Sequence, residues 1–170
     1  MNLDEFNGLS EDEAKVALER CCGSALWVEE VARLRPFRSE RELFDTADRI
    51  WRTLSLSDWK EAFAHHPKIG DLNSIKAKFQ TTASWATQEQ AGVRAASEST
   101  LRALSDGNRT YEEKFGYIFI VCATEKNERE MLELLKARMG NSPSQEIVIA
   151  AEEQAKITRI RLEKLFQLEI

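Results

Sequence analysis

Residues that interrupt helices are scarce in this sequence, which has seven glycines and three prolines among 170 residues. An alternating strand pattern is also missing outside the short run Tyr117 to Cys122. Apolar residues recur instead at the spacing of amphipathic helices. The sequence therefore predicts an all-α fold. Because no repeat, low-complexity stretch or linker interrupts residues 1–170, we expect a single-domain multi-helix bundle.

Several classes of partner and location are disfavoured by what is missing. Lysine and arginine form no sustained cluster and the net charge is −5, so nucleic acid is not expected to bind. No apolar run is long enough to span a bilayer, so no membrane association is expected. The three cysteines show no Cys-x-x-Cys spacing and predict buried free thiols. With an acidic N-terminus and no C-terminal Ser-Lys-Leu, we expect a cytoplasmic protein.

Capping signals predict where several helices begin. Ser10 with Glu13 and Ser39 with Glu42 each form a capping-box pattern. Ser57 is placed to cap a short helix that leads to the histidines.

The second half of the chain carries further boundary signals. A helix is expected to start near Thr87 and run toward Leu104, where 106–108 (Asp-Gly-Asn) predicts a turn. Another helix is expected over 127–139, and the last one opens with Pro143 at its first position.

The clearest chemical candidate is His66, because it and His65 are the two histidines of the chain. Pro67 ends the helix behind them, so the imidazole can be presented from a loop and titrate near neutrality. A metal site is disfavoured because two adjacent residues do not easily converge on one ion and no third histidine exists. The functional interpretation is acid–base catalysis, and the alternative is a surface or capping histidine.

Two charged residues have both a functional and a structural interpretation. Glu89 can orient and charge an imidazole, or simply stabilise the first turn of a helix. Arg161 lies on a helical row with Ala150, Gln154 and Ile157 that is apolar apart from Gln154 and Arg161. Its guanidinium can hold a carbonyl-rich or anionic ligand, or it can extend outward while its stem packs.

The run Phe119-Ile120-Val121-Cys122-Ala123 is predicted to be core. If this segment is not regular helix, its backbone amides are available to a ligand.

Five motifs in this order resemble the OHCU decarboxylases, where OHCU is 2-oxo-4-hydroxy-4-carboxy-5-ureidoimidazoline. The resemblance covers nearly the whole chain, and five motifs in register are specific where one would be weak. The motifs are Arg35-Pro36-Phe37, His66-Pro67, Glu89-Gln90-Ala91-Gly92, the run Asn108 to Gly116 with Tyr111, Lys114 and Phe115, and Lys156-Ile157 with Arg161-Leu162.

The resemblance implies a role for each matching position. His66 would transfer protons with Glu89 as its partner, and Arg161 would hold polar groups of the substrate. Ala86 departs from the serine often found there in the family, so one hydroxyl contact is lost. The further substrate-binding positions would be Pro67, Ala86, Thr87, Gln88, Gln90, Phe119, Ile120, Val121, Cys122 and Ala123.

The resemblance further implies an all-α homodimer that needs no cofactor or metal and converts OHCU to (S)-allantoin and CO2 in urate catabolism. Two alternatives stay open from the residues alone. One is a helical interaction module without catalysis, in which Glu89 and Arg161 form structural ion pairs. The other is a related enzyme acting on a different ureido or imidazoline compound.

Overall fold

The computed structural model describes residues 1–66, 90–124 and 126–166, apart from the side chains of residues 90–97. These residues form eight helices and no strand, which confirms the all-α prediction. None of these helices is both long and apolar enough to cross a membrane. The helices are α1 (Leu3–Gly8), α2 (Glu11–Glu19), α3 (Ala25–Arg33), α4 (Glu40–Thr53), α5 (Leu56–Ala64), α6 (Gln90–Phe115), α7 (Glu128–Arg138) and α8 (Pro143–Leu165).

Two compact units emerge from the contacts within the chain. The first comprises Met1–His66 with Ile149–Ile170, and the second comprises Pro67–Val148. In the first unit α3 contacts α2, α4 and α5, and in the second α6 contacts α7.

Buried tryptophans organise the first unit. The indole of Trp27 donates to the carbonyl of Ala47 at 2.9 Å, and that of Trp51 donates to the carbonyl of Ala151 at 2.9 Å. Each ring therefore fills the core while its one polar atom is satisfied, as a buried indole requires. The second bond fixes α8 against α4.

The capping predictions are confirmed at Ser10 and corrected at Ser57. The Ser10 hydroxyl accepts from the amide of Glu13, and the Glu13 carboxylate accepts from the amide of Ser10. Helix α5 starts two residues earlier than predicted, because Ser55 caps it in a full box with Asp58. Ser57 lies inside the first turn of that helix.

At Ser39 only half of the predicted box forms. The Ser39 hydroxyl caps the amide of Glu42 at 3.1 Å. The Glu42 carboxylate instead accepts from the amide of Arg38 at 2.7 Å, one residue before the predicted donor.

The turn predicted at 106–108 is wrong, since α6 continues without interruption to Phe115. A Cβ atom on Gly107 would lie 2.7 Å from Cδ2 of Leu135 on α7. Gly107 therefore permits a close approach of two helices, and the loss of helix propensity is offset by packing.

The Arg35-Pro36-Phe37 motif holds α1 in place. The Arg35 guanidinium donates to the carbonyls of Phe6 at 2.9 Å and Leu9 at 2.8 Å, which lie at the C-terminal end of α1. The backbone of Phe37 exchanges two hydrogen bonds with the Asn7 amide, at 2.8 and 2.9 Å. The motif is thus a helix clamp, and each of these four bonds serves the fold.

Candidate active site

His66 follows the end of α5 and is half-buried. Its amide donates to the carbonyl of Phe63 at 3.2 Å, which continues the last turn of the helix by one step. Its ring nitrogen Nε2 lies 2.5 Å from Oε1 of Gln154 on α8. The imidazole is therefore fixed by a side chain 88 positions away in the sequence.

Gln154 belongs to a buried polar chain within the first unit. Its amide nitrogen donates to Oγ1 of Thr158 at 3.1 Å, and Thr158 in turn hydrogen-bonds the thiol of Cys22. Gln154 and Cys22 are fully buried, and Thr158 is nearly so. Burial raises the pKa of Cys22 to about 11, so its thiol stays protonated at neutral pH.

His65 packs on the loop between α2 and α3. A Cβ atom on Gly23 would fall 2.3 Å from Cγ and 2.4 Å from Cβ of His65, so glycine is required for this contact. One turn earlier on α5, the Glu61 carboxylate accepts from the amide of Ala25 at 3.1 Å. Gly23 and the first residue of α3 thereby hold the end of α5 from which His66 extends.

Arg161 lies on the same face of α8 as Gln154, two turns further along, and is half-buried. Its Nη1 donates to the carbonyl of Cys21 at 3.4 Å, a long and weak hydrogen bond. The guanidinium charge opposes the effect of burial, which raises the pKa of the Cys21 thiol to about 12. Within the first unit His66 is thus bonded to Gln154 of this polar chain, and Arg161 is bonded to the loop that carries Cys22.

The segment 119–123 lies in the second unit and follows no regular helix, which is one of the two conformations that the sequence allowed. Phe119, Ile120 and Cys122 are buried, and Val121 and Ala123 are half-buried. The Arg138 guanidinium holds the segment, because Nη1 donates to the carbonyl of Ile120 at 2.7 Å and Cζ lies 4.6 Å from the centre of the Phe119 ring.

Arg138 is itself fixed by a buried carboxylate. Its Nε donates to Oε1 of the fully buried Glu146 at 2.7 Å, and Asn141 donates to the other carboxylate oxygen at 2.7 Å. The Tyr111 hydroxyl also donates to Glu146. Burial, followed by this bond, raises the pKa of Tyr111. All the carboxylate's contacts named here stabilise its negative charge.

The rest of the Asn108 to Gly116 motif is structural within the same unit. Lys114 Nζ donates to the carbonyl of Asn141 at 3.1 Å and also contacts that of Met139, both just beyond α7. Gly116 ends α6 with a φ of 77°, a conformation that favours glycine.

Six predicted site residues have side chains or backbones that the structure does not describe. Pro67, Ala86, Thr87, Gln88 and Glu89 lie outside the described residues, and Gln90 is described only as the first residue of α6. Their roles therefore stay predictions.

The described residues favour proton transfer as the chemistry of this site. A half-buried imidazole held in place by a hydrogen bond is a suitable group to take up and release a proton. Arg161, on the same helix as Gln154, carries a cation of the kind that can stabilise developing negative charge. No group of three histidine, cysteine, aspartate or glutamate side chains able to hold a metal ion occurs in the described ranges.

Sequence reasoning missed Gln154 and Thr158 as members of the site. The signal for Gln154 was present, because it and Arg161 are the two polar residues on an otherwise apolar helical row. A buried amide must find a hydrogen-bond partner, and the histidine was the obvious candidate. Thr158 lies off that row, and no pattern in the sequence indicated it.

Comparison with known proteins places the chain in a family. A family model described as OHCU decarboxylase matches residues 7–163. The chain is 36% identical over 158 residues to the uric acid degradation bifunctional protein TTL of Arabidopsis thaliana, a match that covers 93% of this chain and 48% of that protein. It is 29% identical over 173 residues to a 2-oxo-4-hydroxy-4-carboxy-5-ureidoimidazoline decarboxylase of Amia calva, covering 98% and 95% of the two chains.

Solved structures agree with these relatives. A crystal structure of OHCU decarboxylase in the presence of (S)-allantoin is 38% identical with a TM-score of 0.71, covering 93% of this chain and 99% of that one. A crystal structure of (S)-allantoin synthase has a TM-score of 0.70 at 18% identity, covers 97% of this chain and 54% of that one, and supports the fold alone.

The chain belongs to the OHCU decarboxylase family. It spans about half the length of the Arabidopsis relative and nearly all of the Amia calva one. Family membership supports a carboxy-lyase with a role in urate degradation, which confirms the enzyme prediction over the interaction-module alternative.

Proposed function

We propose that this chain decarboxylates OHCU to (S)-allantoin and CO2 without a cofactor, with His66 in proton transfer. The observation that carries the proposal is the fixed imidazole of His66, bonded to Gln154 at 2.5 Å in a chain that matches the family model over residues 7–163. A related OHCU decarboxylase was crystallised in the presence of (S)-allantoin, which supports the choice of product.

The chemistry needs no external electron sink. OHCU has a ring C=N bond next to the carbon that bears the carboxylate and the hydroxyl. When the bond from that carbon to the carboxylate breaks, its electron pair moves into the ring and CO2 leaves. The ring nitrogen that receives the pair takes up a proton, which leaves an enol. A proton is then delivered to the neighbouring carbon while the hydroxyl loses its proton and becomes the ring carbonyl, and delivery to one face gives (S)-allantoin. The protein therefore supplies proton transfer, orientation and electrostatic stabilisation.

Each remaining site residue has a proposed role in this reaction. Glu89 orients His66, and Arg161 holds the polar groups of the substrate. The half-buried position of Arg161 and its long bond to the Cys21 carbonyl support this role, because a weakly bonded guanidinium can exchange that bond for a substrate oxygen.

The substrate would also contact several backbone and apolar groups. Arg138 fixes the carbonyl of Ile120, which supports a preformed binding segment. Ala86 provides backbone contacts only. The proposed contacts are Pro67, Ala86, Thr87, Gln88, Gln90, Phe119, Ile120, Val121, Cys122 and Ala123.

The direct test is circular dichroism during coupled urate oxidation. Urate oxidase and the hydrolase that produces OHCU generate the substrate in place, with and without this protein. Rapid growth of an optically active allantoin signal is expected. A trace that matches the slow, racemic control without the protein would refute the proposal.

His66→Asn is the matching variant, with His65→Asn as its control on the adjacent residue. Since general acid–base catalysis contributes roughly 10²–10⁴-fold, His66→Asn should lose activity on that scale and keep its helical spectrum. His65→Asn should retain far more activity. Equal activity of wild type and His66→Asn would remove His66 from the mechanism.

We also propose that the protein is a cytoplasmic homodimer, on the strength of the family resemblance. Sedimentation equilibrium should return twice the 19.5 kDa mass of the chain. A monomer at micromolar concentration would contradict the dimer, and recovery of the tagged protein outside the cytoplasmic fraction would contradict the location.

A further inference from the structure

Lys126 lies just past the segment 119–123 and reaches back to it. Its Nζ donates to the carbonyl of Cys122 at 2.9 Å, and its own amide donates to the carbonyl of Ala123 at 3.2 Å. The residue is half-buried. A lysine usually extends its charged end into water, so an ammonium group held against the main chain calls for a reason.

The protein's own donors occupy the oxygens of this segment. Nη1 of Arg138 donates to the carbonyl of Ile120 at 2.7 Å. The two bonds from Lys126 take the carbonyls of the residues at 122 and 123. Two of these three donors are side-chain cations, so a ligand that reaches the segment meets peptide units whose oxygens are already bonded.

The N–H groups on the other side of these peptide units belong to Val121 and Ala123. Neither unit is cis, and in a planar trans peptide the N–H points away from the C=O. Within the ranges that the structure describes, neither amide donates a hydrogen bond. Burial alternates over 120–123, with these two residues half-buried, which is typical of extended backbone. In such backbone the N–H groups of residues two apart lie on the same side of the chain.

We propose that Lys126 is a positioning residue for substrate binding. Together with Arg138 it holds and polarises two peptide units of the segment 119–123, so that the N–H groups of Val121 and Ala123 bind a carbonyl oxygen of the substrate. A cation on the oxygen of a peptide unit strengthens its N–H as a donor. Lys126 acts through the main chain and is not expected to touch the substrate. This inference rests on the proposed function, which places the segment at the substrate.

Lys126 allows the segment to be tested without disturbing the buried ion pair. A change of Arg138 would leave the buried Glu146 without its cation and destabilise the fold. Lys126→Met keeps a long stem and removes the donor, whereas Lys126→Arg keeps a cationic donor. The control is Lys136→Met, the same substitution at an exposed position of α7 in the same unit.

Binding of (S)-allantoin, followed by NMR of protein labelled with nitrogen-15 and carbon-13, tests the inference without turnover. In the wild type the amide signals of Val121 and Ala123 should move as (S)-allantoin is added. In Lys126→Met the carbonyl-carbon signal of Cys122 should move before any addition, because its hydrogen bond is lost. The Kd for (S)-allantoin should rise by about 3–10-fold. Lys126→Arg should restore most of the affinity, and Lys136→Met should bind like the wild type.

Two results would overturn the inference. One is a Lys126→Met variant that shows the changed Cys122 signal and still binds (S)-allantoin as tightly as the wild type, because the bond would then serve the turn alone. The other is a wild type in which (S)-allantoin moves neither amide signal. A helical spectrum and a urea midpoint like those of the wild type show that Lys126→Met is folded.

Failure of the proposed function gives a different result. A wild type that binds (S)-allantoin through these two amides and does not accelerate OHCU decay would refute the proposed reaction. The weaker binding of Lys126→Met would still support its positioning role.

Discussion

The two units of the chain each bury a polar network, and the two networks differ in charge. In the second unit Arg138 and Glu146 form an ion pair with side-chain exposures of 9% and 0%. In the first unit Gln154 and Thr158 are uncharged, and they join His66 to the Cys22 thiol.

This difference separates a structural network from one suited to proton exchange. Each charge of the Arg138–Glu146 pair depends on the other, so a change of protonation would leave a buried charge unpaired. The Gln154 network holds no fixed charge, so the imidazole at its end can gain or lose a proton while its own bond persists. One network therefore fixes the segment 119–123, and the other is suited to hold a titrating base.

The largest expected effect is on the ionic network. Glu146→Gln keeps the size of the side chain but leaves the Arg138 cation buried without its carboxylate. We expect the free energy of unfolding to fall by about 3–5 kcal/mol, measured by urea denaturation. The control is Arg109→Met, which breaks the Arg109–Asp106 pair, exposed by 71% and 69%, and should cost less than about 1 kcal/mol. Equal losses would show that burial does not distinguish the two pairs.

A smaller effect is expected where His65 packs on Gly23. In Gly23→Ala the new Cβ would meet the Cβ of His65 at 2.4 Å, an atom fixed by the backbone of α5. The end of that helix must shift, and stability should fall by about 1–3 kcal/mol together with activity. Gly8→Ala has no heavy atom within 4 Å of its new Cβ and should be neutral or slightly stabilising. If Gly23→Ala keeps wild-type activity, the loop does not position His66.

The smallest effect concerns the Cys22 thiol, at one end of the uncharged network that contains Gln154 and Thr158. The folded protein holds the pKa of Cys22 at about 11, against about 9 for an ordinary thiol. Between these values the unfolded thiol ionises and the folded one does not, so stability that is present below pH 9 is lost as pH rises toward 11. From about pH 8 to about pH 10, the free energy of unfolding of Cys22→Ala should fall by about 1 kcal/mol less than that of wild type.

Urea denaturation at the two pH values measures this difference, and any cavity left by the alanine cancels between them. An equal fall in stability for wild type and Cys22→Ala would contradict the raised pKa of this thiol.

Local signals in the sequence predicted the helices well. They failed where another residue determines the helix boundary or the packing. Ser10 with Glu13 worked because both halves of a capping box lie within one turn. Ser57 failed because Ser55, two residues earlier, has the better-placed Asp58. Gly107 was assigned to a turn from its neighbours, whereas Leu135 on another helix explains it.

The candidate site shows the same limit of local patterns. His66 and Arg161 were found from a motif and a helical row, which are properties of short stretches. The bond from His66 to Gln154 joins residues 88 positions apart, and only the tertiary fold brings the two together. Sequence could indicate that Gln154 needed a partner, and the fold was needed to supply one.

The clamp formed by Arg35 bears on how relatives of this protein are recognised. Its Nη1 donates to the carbonyls of Phe6 and Leu9 at the end of α1, while its Nε donates to the carbonyl of Ala32 on α3 at 3.1 Å, and a lysine has no second nitrogen for that bond. A diverged copy could therefore keep Arg35-Pro36-Phe37 to remain folded long after losing His66. Such a copy would still look like a family member by that motif, so the motif identifies chains that share this fold and does not by itself identify chains that carry His66.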